Sequence, residues 1–294
     1  MHKFDKLLKP NYDEFKIIRQ LDKKEIADIE KYFDISNYII LKKKIKSIII
    51  KIIKYVGLSS AIKISNPRSL ETVHSKYEKI AGDYIKNHNT KKKLKFIAIN
   101  EKENVFECRG MITPYYGECL KNLYKYYKCK SVLEVGAGEL TTIFTFIKRL
   151  IKIPKLIGAI DISHKRLNVG KNFLKTKKIK IDYLARADAS KLPFKDNSFD
   201  MVYTANCLEQ VPELFLKSLK EIVRVSSNLI VIIEPSYEFG TPATKNSIIK
   251  KGYTKITNKH FRKLGLKPIY RNALKFSYYN VRTEIVILKK GNYL

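Results

Sequence analysis

Ser131-Val-Leu-Glu134-Val-Gly136-Ala137-Gly138-Glu139-Leu140 is the stretch on which the fold turns. Its first five residues form a short apolar run with two valines that ends at glycine, the pattern of a buried strand. Residues 141–151 continue at helical spacing, with Phe144, Ile147 and Ile151 on one face and Ile143 and Leu150 beside them. A strand that breaks at Gly-x-Gly and runs into a helix lets backbone approach a ligand closely and aims helix N–H groups at it. The stretch predicts a nucleotide-type cradle.

The chain downstream repeats the same rhythm. Residues 155–160 predict a second strand ending at Asp161, and Ser163 predicts the N-cap of a helix to about 176, with Leu167, Gly170, Phe173 and Leu174 facing inward. Residues 179–184 predict a third strand, followed by Asp188-Ala189, and residues 199–204 a fourth. Pro212 suits the first position of a helix to about 225 with an apolar stripe of Phe215, Leu219, Ile222 and Val223. A fifth strand, 228–233, closes at Glu234-Pro235. Such alternation argues for a parallel sheet with helices on both faces. Near the end, residues 260–265 close a helix, and strands over 267–271 and 281–289 are joined too closely for a crossover, so they are expected to be antiparallel.

Upstream the signals are weaker. Residues 1–37 are charged with scattered aromatics and suggest short helices. Over 38–58, Leu41, Ile45, Ile48, Ile52, Tyr55 and Val56 share one helical face and Lys43, Lys46, Ser47, Lys51 and Lys54 the other. A basic amphipathic helix of this kind either covers its own domain, the preferred reading, or lies on an anionic membrane surface. Asn66-Pro67-Arg68 breaks it. A further helix is expected over 69–88, a small hairpin over 94–100 and 105–108, and a helix over 114–128 leading into the opening strand. The boundary drawn from these signals separates an extension, 1–108, from a core domain, 109–294.

Composition constrains the partners. The net charge of +31, from 59 basic and 28 acidic residues, would ordinarily suggest nucleic acid or an anionic membrane. The basic residues are mostly lysines spread along the whole chain amid abundant Ile, Asn and Tyr, as an AT-rich coding sequence produces, and that compositional explanation is preferred. Cys108, Cys119, Cys129 and Cys207 contain no C-x-x-C pair and the histidines do not cluster, so no metal site is expected. The start of the chain lacks a signal-peptide core and no stretch is apolar for long enough to span a bilayer, so the expected location is the cytoplasm, with the inner membrane face open to the 38–58 segment.

Four acidic or glycine-rich positions fall just after successive strands, where open α/β sheets bind ligands. They are Glu134-Val-Gly136-Ala137-Gly138, Asp161-Ile162, Asp188-Ala189 and Asn206-Cys207. A dinucleotide-binding dehydrogenase shares the first two. Here, however, the third glycine of G-x-G-x-x-G is missing and an acid, Glu134, stands two places before the first glycine.

With Gly158-Ala-Ile-Asp161-Ile-Ser, Leu192-Pro-Phe194, Ser198-Phe-Asp200-Met-Val and Cys207-Leu-Glu209-Gln-Val-Pro212 added, the chain resembles the class I S-adenosylmethionine-dependent methyltransferases of the type 11 kind over roughly residues 109–235. The resemblance implies a Rossmann-like, doubly wound seven-stranded α/β sheet, mostly parallel with an antiparallel C-terminal strand, behind a largely helical N-terminal extension. It implies S-adenosylmethionine as cofactor, with Gly136, Ala137 and Gly138 under the methionine moiety, Asp161 on the ribose, Asp188 on the adenine amino group and Ala189 against the adenine ring. Glu134, Ile162, Asn206 and Cys207 complete the expected set. Glu139 departs from the family where many members carry another glycine, and Gln210 where a histidine is frequent.

Methyl transfer from a sulfonium requires alignment above all, and a base only where the acceptor must lose a proton. Glu209, His74, Tyr237 and His260 are the candidate bases, none with a partner motif. Asp200 reads as a turn residue, His164 as part of a helix start. No Asp/Asn-Pro-Pro-Tyr follows the fourth strand and no Pro-Cys nucleophile is present, which directs the expected acceptor toward a hydroxyl on a glycan, lipid-linked or other small molecule. RNA is the alternative acceptor, and a dehydrogenase or an inactive methyltransferase-like partner module the alternative class.

Overall fold

The computed structural model describes residues 3–10, 15–33, 68–90 and 94–291, so the amphipathic segment 38–58 lies outside the described residues. Strands β4 (Ser131–Val135), β5 (Leu156–Asp161), β6 (Tyr183–Arg186), β7 (Phe199–Ala205), β8 (Ser226–Pro235), β9 (Tyr270–Ala273) and β11 (Thr283–Lys289) form a seven-stranded sheet in the order β6-β5-β4-β7-β8-β11-β9. The five strands from β6 to β8 are parallel, with Leu133 beside Gly158 on one side and Val202 on the other. β11 runs antiparallel to both β8 and β9. This is the Rossmann-like architecture expected, with the antiparallel strand near the C-terminus.

The helices around it are α5 (Thr113–Tyr126), α6 (Thr141–Ile147), α7 (His164–Thr176), α8 (Phe215–Val225), α9 (Pro242–Lys251) and α10 (Asn258–Arg262). Strand side chains alternate between two cores. Val132, Tyr203 and Val231 join α5, α6 and α7 on one face, while Leu133, Val202 and Ile230 join Phe215, Leu219 and Ile222 of α8 on the other. Both faces are covered, which is why β8 reads as an unbroken run, Leu229 to Ile233, and not as an alternating one.

The N-terminal part contains α1 (Lys3–Leu7), β1 (Phe15–Gln20), α2 (Lys23–Phe33), α3 (Leu70–Lys79), α4 (Asp83–Thr90), β2 (Lys95–Asn100) and β3 (Val105–Gly110). It is helical in large part, yet it also carries a sheet of order β1-β3-β2-β10, whose last member, β10 (Phe276–Tyr278), comes from the far end of the chain. The β2–β3 hairpin forms as expected: the Asn100 Oδ1 accepts the Lys102 and Asn104 N–H groups, and Glu103 takes a left-handed conformation at φ 65°. Phe15 stacks on Phe276 at 4.9 Å, so residues on both sides of position 108 share one core.

Several expectations are corrected. Residues 15–20 are a strand, held to β3 by Arg19 on Glu107 at 3.2 Å. The helix expected over 69–88 is two helices, broken at Gly82, whose φ of +104° no helix accommodates. α6 stops at Ile147 and leaves Ile151 94% exposed. The third parallel strand begins at Tyr183, and Asp182 before it accepts the Ile157 N–H at 2.9 Å. Pro212 opens a single 3₁₀ turn, with the α-helix starting at Phe215.

Candidate active site

The C-terminal ends of β4, β5, β6 and β7 open into a solvent-connected pocket, the place where open α/β sheets bind ligands. Gly136, Asp161, Ile162, Asp188, Ala189, Asn206 and Cys207, all expected at the site, line it. Gly136 has φ +76°, and a Cβ there would meet the Cys207 Sγ at 2.2 Å. Backbone and thiol approach so closely that only glycine fits.

The N–H groups of the glycine loop itself are taken up by acceptors of the neighbouring strand β5. Those of Gly136 and Ala137 donate to the Ile160 carbonyl at 2.9 and 2.8 Å, and that of Gly138 donates to Asp161 Oδ2 at 2.8 Å. Asp161 Oδ1 accepts the Ser163 N–H at 2.8 Å. Each carboxylate oxygen so engaged keeps a further lone pair. Asp161 is thereby fixed in orientation with acceptor capacity left on both oxygens, which suits a vicinal diol. Asp188 is held in the same manner by the Ser190 N–H at 2.8 Å and its hydroxyl at 2.9 Å.

Glu134 lies beneath the loop, outside the lining residues. Its Oε2 accepts the Tyr203 hydroxyl at 3.0 Å and the Ile143 N–H at 3.1 Å, so it secures the first turn of α6. Burial pushes its carboxyl up to about 8 in spite of these two donors. Burial, then the neighbouring Glu234, holds the Cys207 thiol well above its ordinary range, which argues against a nucleophilic cysteine.

Residues outside the expected set also line the pocket, those from the helices α3 and α7 among them. Leu70, Val73 and Tyr77 line the pocket from α3; their i, i+3, i+7 spacing is a helical stripe whose partner no local pattern could name. Arg166, on α7, lies across Gly138, where a Cβ would come within 2.3 Å of its guanidinium. Its charge sits 4.8 Å from the Tyr77 ring centre and 4.6 Å from that of Tyr84, with Glu139 at 3.8 Å. The Arg166 Nε, buried, has no hydrogen-bond partner among the described residues.

Glu139 accounts for its own departure from the family pattern. Its carboxylate accepts the N–H groups of Gly82 at 3.0 Å and Ile85 at 2.9 Å, capping α4 from the glycine loop. α3 is held from a second point: Glu78 accepts the Ser163 hydroxyl at 2.7 Å and the Lys165 N–H at 3.2 Å.

The four candidate bases are dispersed. Glu209, 1% exposed, follows β7; Gln210 donates to its Oε1, while its Oε2 has no partner among the described residues. Beside it Glu234 accepts the Thr204 hydroxyl and the Cys207 and Leu208 N–H groups. Burial, with Glu209 adding to it, raises the Glu234 carboxyl well above its ordinary range. His74 pairs with Glu78 at 3.5 Å. Tyr237 lies under the Lys255 ammonium at 4.7 Å. His260 accepts the Thr257 N–H at 3.1 Å and packs edge-on to Phe215, so it caps α10 and stands outside the pocket lining. Among the described residues no cluster of three metal-ligating side chains occurs, and no helix is long and apolar enough to cross a membrane.

Residues 133–229 match the family described as a methyltransferase domain. A demethylmenaquinone methyltransferase of Staphylococcus haemolyticus (strain JCSC1435) is 40% identical over 112 residues, 35% of this chain and 46% of its own length. The ubiquinone/menaquinone biosynthesis C-methyltransferase UbiE of Shewanella frigidimarina (strain NCIMB 400) is 31% identical over 134 residues, 44% of this chain and 49% of its own. The chain thus spans about half the length of these relatives. Among solved structures, the [4+2]-cyclase SpnF superposes with a TM-score of 0.53 at 11% identity, covering 78% of this chain and 99% of that one, a likeness of fold alone.

Proposed function

We propose, from the premise that the chain belongs to the class I S-adenosylmethionine-dependent methyltransferases, that it methylates a hydroxyl of a small-molecule, glycan or lipid-linked acceptor. The observation that carries the hydroxyl is Glu209: a buried carboxylate oxygen without a partner among the described residues, two positions beyond Cys207 of the pocket wall. A hydroxyl acceptor must give up its proton, and Glu209, itself outside the pocket lining but between the lining residues Leu208 and Gln210, would take it.

The pocket suits the cofactor. Asp161 would accept the ribose hydroxyls, Asp188 the adenine amino group, and Ala189 would lie against the adenine ring. Arg166, with a donor to spare over Gly138, would hold the α-carboxylate. Gly136 keeps the loop surface clear of side chain, while Glu134, Ala137 and Gly138 shape it from behind. When bound, S-adenosylmethionine supplies an electrophilic methyl group. The domain reading stays an extension, 1–108, whose α3 walls the pocket, on a methyltransferase core, 109–294.

The quinone C-methylation named for the relatives is the second reading, supported by their 31–40% identity. That similarity covers about half of each relative, so it bears on the donor half more than on the acceptor. The test is calorimetry with S-adenosylhomocysteine, followed by transfer of isotope-labelled methyl to fractionated cell extract. Label on oxygen supports the hydroxyl reading and label on ring carbon replaces it. No response to S-adenosylhomocysteine removes the enzymatic reading itself.

A further inference from the structure

We propose that Arg68, Lys76 and Lys251 form a subsite at the pocket rim for a phosphoryl group of the acceptor; this rests on the methyltransferase reading above. Arg68 immediately precedes the Ser69 cap of α3 and donates from Nη1 to the Oε1 of the pocket residue Gln210 at 2.7 Å. Its guanidinium lies 4.7 Å from the Tyr253 ring centre, and Lys251 approaches the same ring at 5.5 Å. Lys76 stands on α3 next to the pocket residue Tyr77, its ammonium 5.2 Å from that ring. The three cations therefore come from two elements, the start and middle of α3 and the end of α9, with Arg68 and Lys251 sharing the Tyr253 ring and both acting on Lys76.

None of the three has a carboxylate within ion-pair distance among the described residues. All are half-buried, where an unpaired charge is costly. Burial and then Arg68 and Lys251 bring the Lys76 amine down to about 8, with Glu209 the acid that opposes them. Tyrosine faces attract cations without neutralising them. Three cations opposed by the one acid Glu209 leave a surplus of positive charge. A carboxylate brings a single negative charge; a phosphate ester, at about −1.5 to −2, offsets more of it. An anchored phosphoryl group would also hold a neighbouring hydroxyl toward Glu209, fixing the orientation that the reaction depends on.

The experiment is calorimetric titration of the full chain with inorganic pyrophosphate, with and without S-adenosylhomocysteine. Saturable binding is expected, weakened at least tenfold in Arg68→Gln/Lys251→Gln and unchanged in the control Lys175→Gln/Lys180→Gln, which removes two exposed charges elsewhere. Absence of binding, or equal loss in the control, overturns the subsite. S-adenosylhomocysteine binding is read in the same samples, so its failure strikes the methyltransferase reading while the pyrophosphate result judges the anion site separately. Co-sedimentation with phosphatidic acid vesicles distinguishes the sources: binding lost in Arg68→Gln/Lys251→Gln identifies a lipid headgroup, and pyrophosphate binding without vesicle binding a soluble phosphate ester. The acceptor activity of an extract should disappear after combined phosphatase and phosphodiesterase treatment; its full survival overturns the assignment of this subsite to the acceptor.

Discussion

The carboxylate of Glu139 accepts the backbone N–H of Gly82 at 3.0 Å across 57 positions of sequence, joining the glycine loop of the core to the first turn of a helix in the extension. The same carboxylate takes the Ile85 N–H. Replacing Glu139 by Ala leaves two donors without an acceptor, at a cost of about 1–3 kcal/mol. Hydrogen exchange over residues 83–90 should accelerate in Glu139→Ala and much less in Glu139→Gln, which keeps an acceptor. Equal protection in all three proteins would refute the cap.

Gly136→Ala combines two faults, a left-handed φ of +76° and a Cβ against the Cys207 Sγ. The left-handed penalty alone is about 1–2 kcal/mol, and the collision adds to it. Chemical denaturation should show the loss, and S-adenosylhomocysteine affinity should fall. Adding Cys207→Ala should restore part of the stability and leave the backbone share missing.

Glu134 sets a pH dependence. Its carboxyl ionises near its ordinary 4.5 in the unfolded chain and near 8 when folded. Between these values the folded chain holds a proton that the unfolded chain has released, so the contribution to stability is complete below 4.5 and is lost as pH rises through 8. The effect is on the order of a few kcal/mol. Thermal unfolding of wild type should decline from pH 5.5 to 8.5 more steeply than that of Glu134→Gln; parallel curves would show that Glu134 ionises as freely when folded.

Asp161→Ala and Arg166→Met should each weaken S-adenosylhomocysteine binding at least tenfold with the fold retained by circular dichroism. For Arg166→Met the loss should shrink when the probe is a cofactor analogue lacking the α-carboxylate. A loss that is the same for both probes would separate Arg166 from carboxylate recognition.

Glu209→Gln preserves shape and removes the base. Cofactor affinity should stay within about threefold while the methyl-transfer rate on a hydroxyl acceptor falls by 10²–10⁴, the usual span for general base catalysis. An undiminished rate would leave alignment as the whole of the mechanism.

What could be read from residue order was whatever a local run, period or turn residue marks. The parallel strands, the Ser163 cap and the placement of Asp161, Asp188 and Cys207 after strands all follow from short apolar runs and turn chemistry. Arg166 was hidden because its neighbours, Gly138, Tyr77 and Tyr84, are distant in sequence. Glu134 shows a different limit: an acid before a glycine turn can face a ligand or a helix start, and here it holds Tyr203 and Ile143. β10 spans only three residues, too few to establish a period, and pairs with a strand far upstream.

That pairing bears on the order in which the molecule can assemble. Asn100 faces Phe276 across the smaller sheet, and Phe15 stacks on the same phenylalanine. During synthesis β1, β2 and β3 emerge early yet keep an open edge until nearly all of the core has been made. Closing so long a loop favours slow, late completion of the N-terminal sheet. The helices that wall the pocket would then be among the last parts to settle, after the glycine loop that receives them.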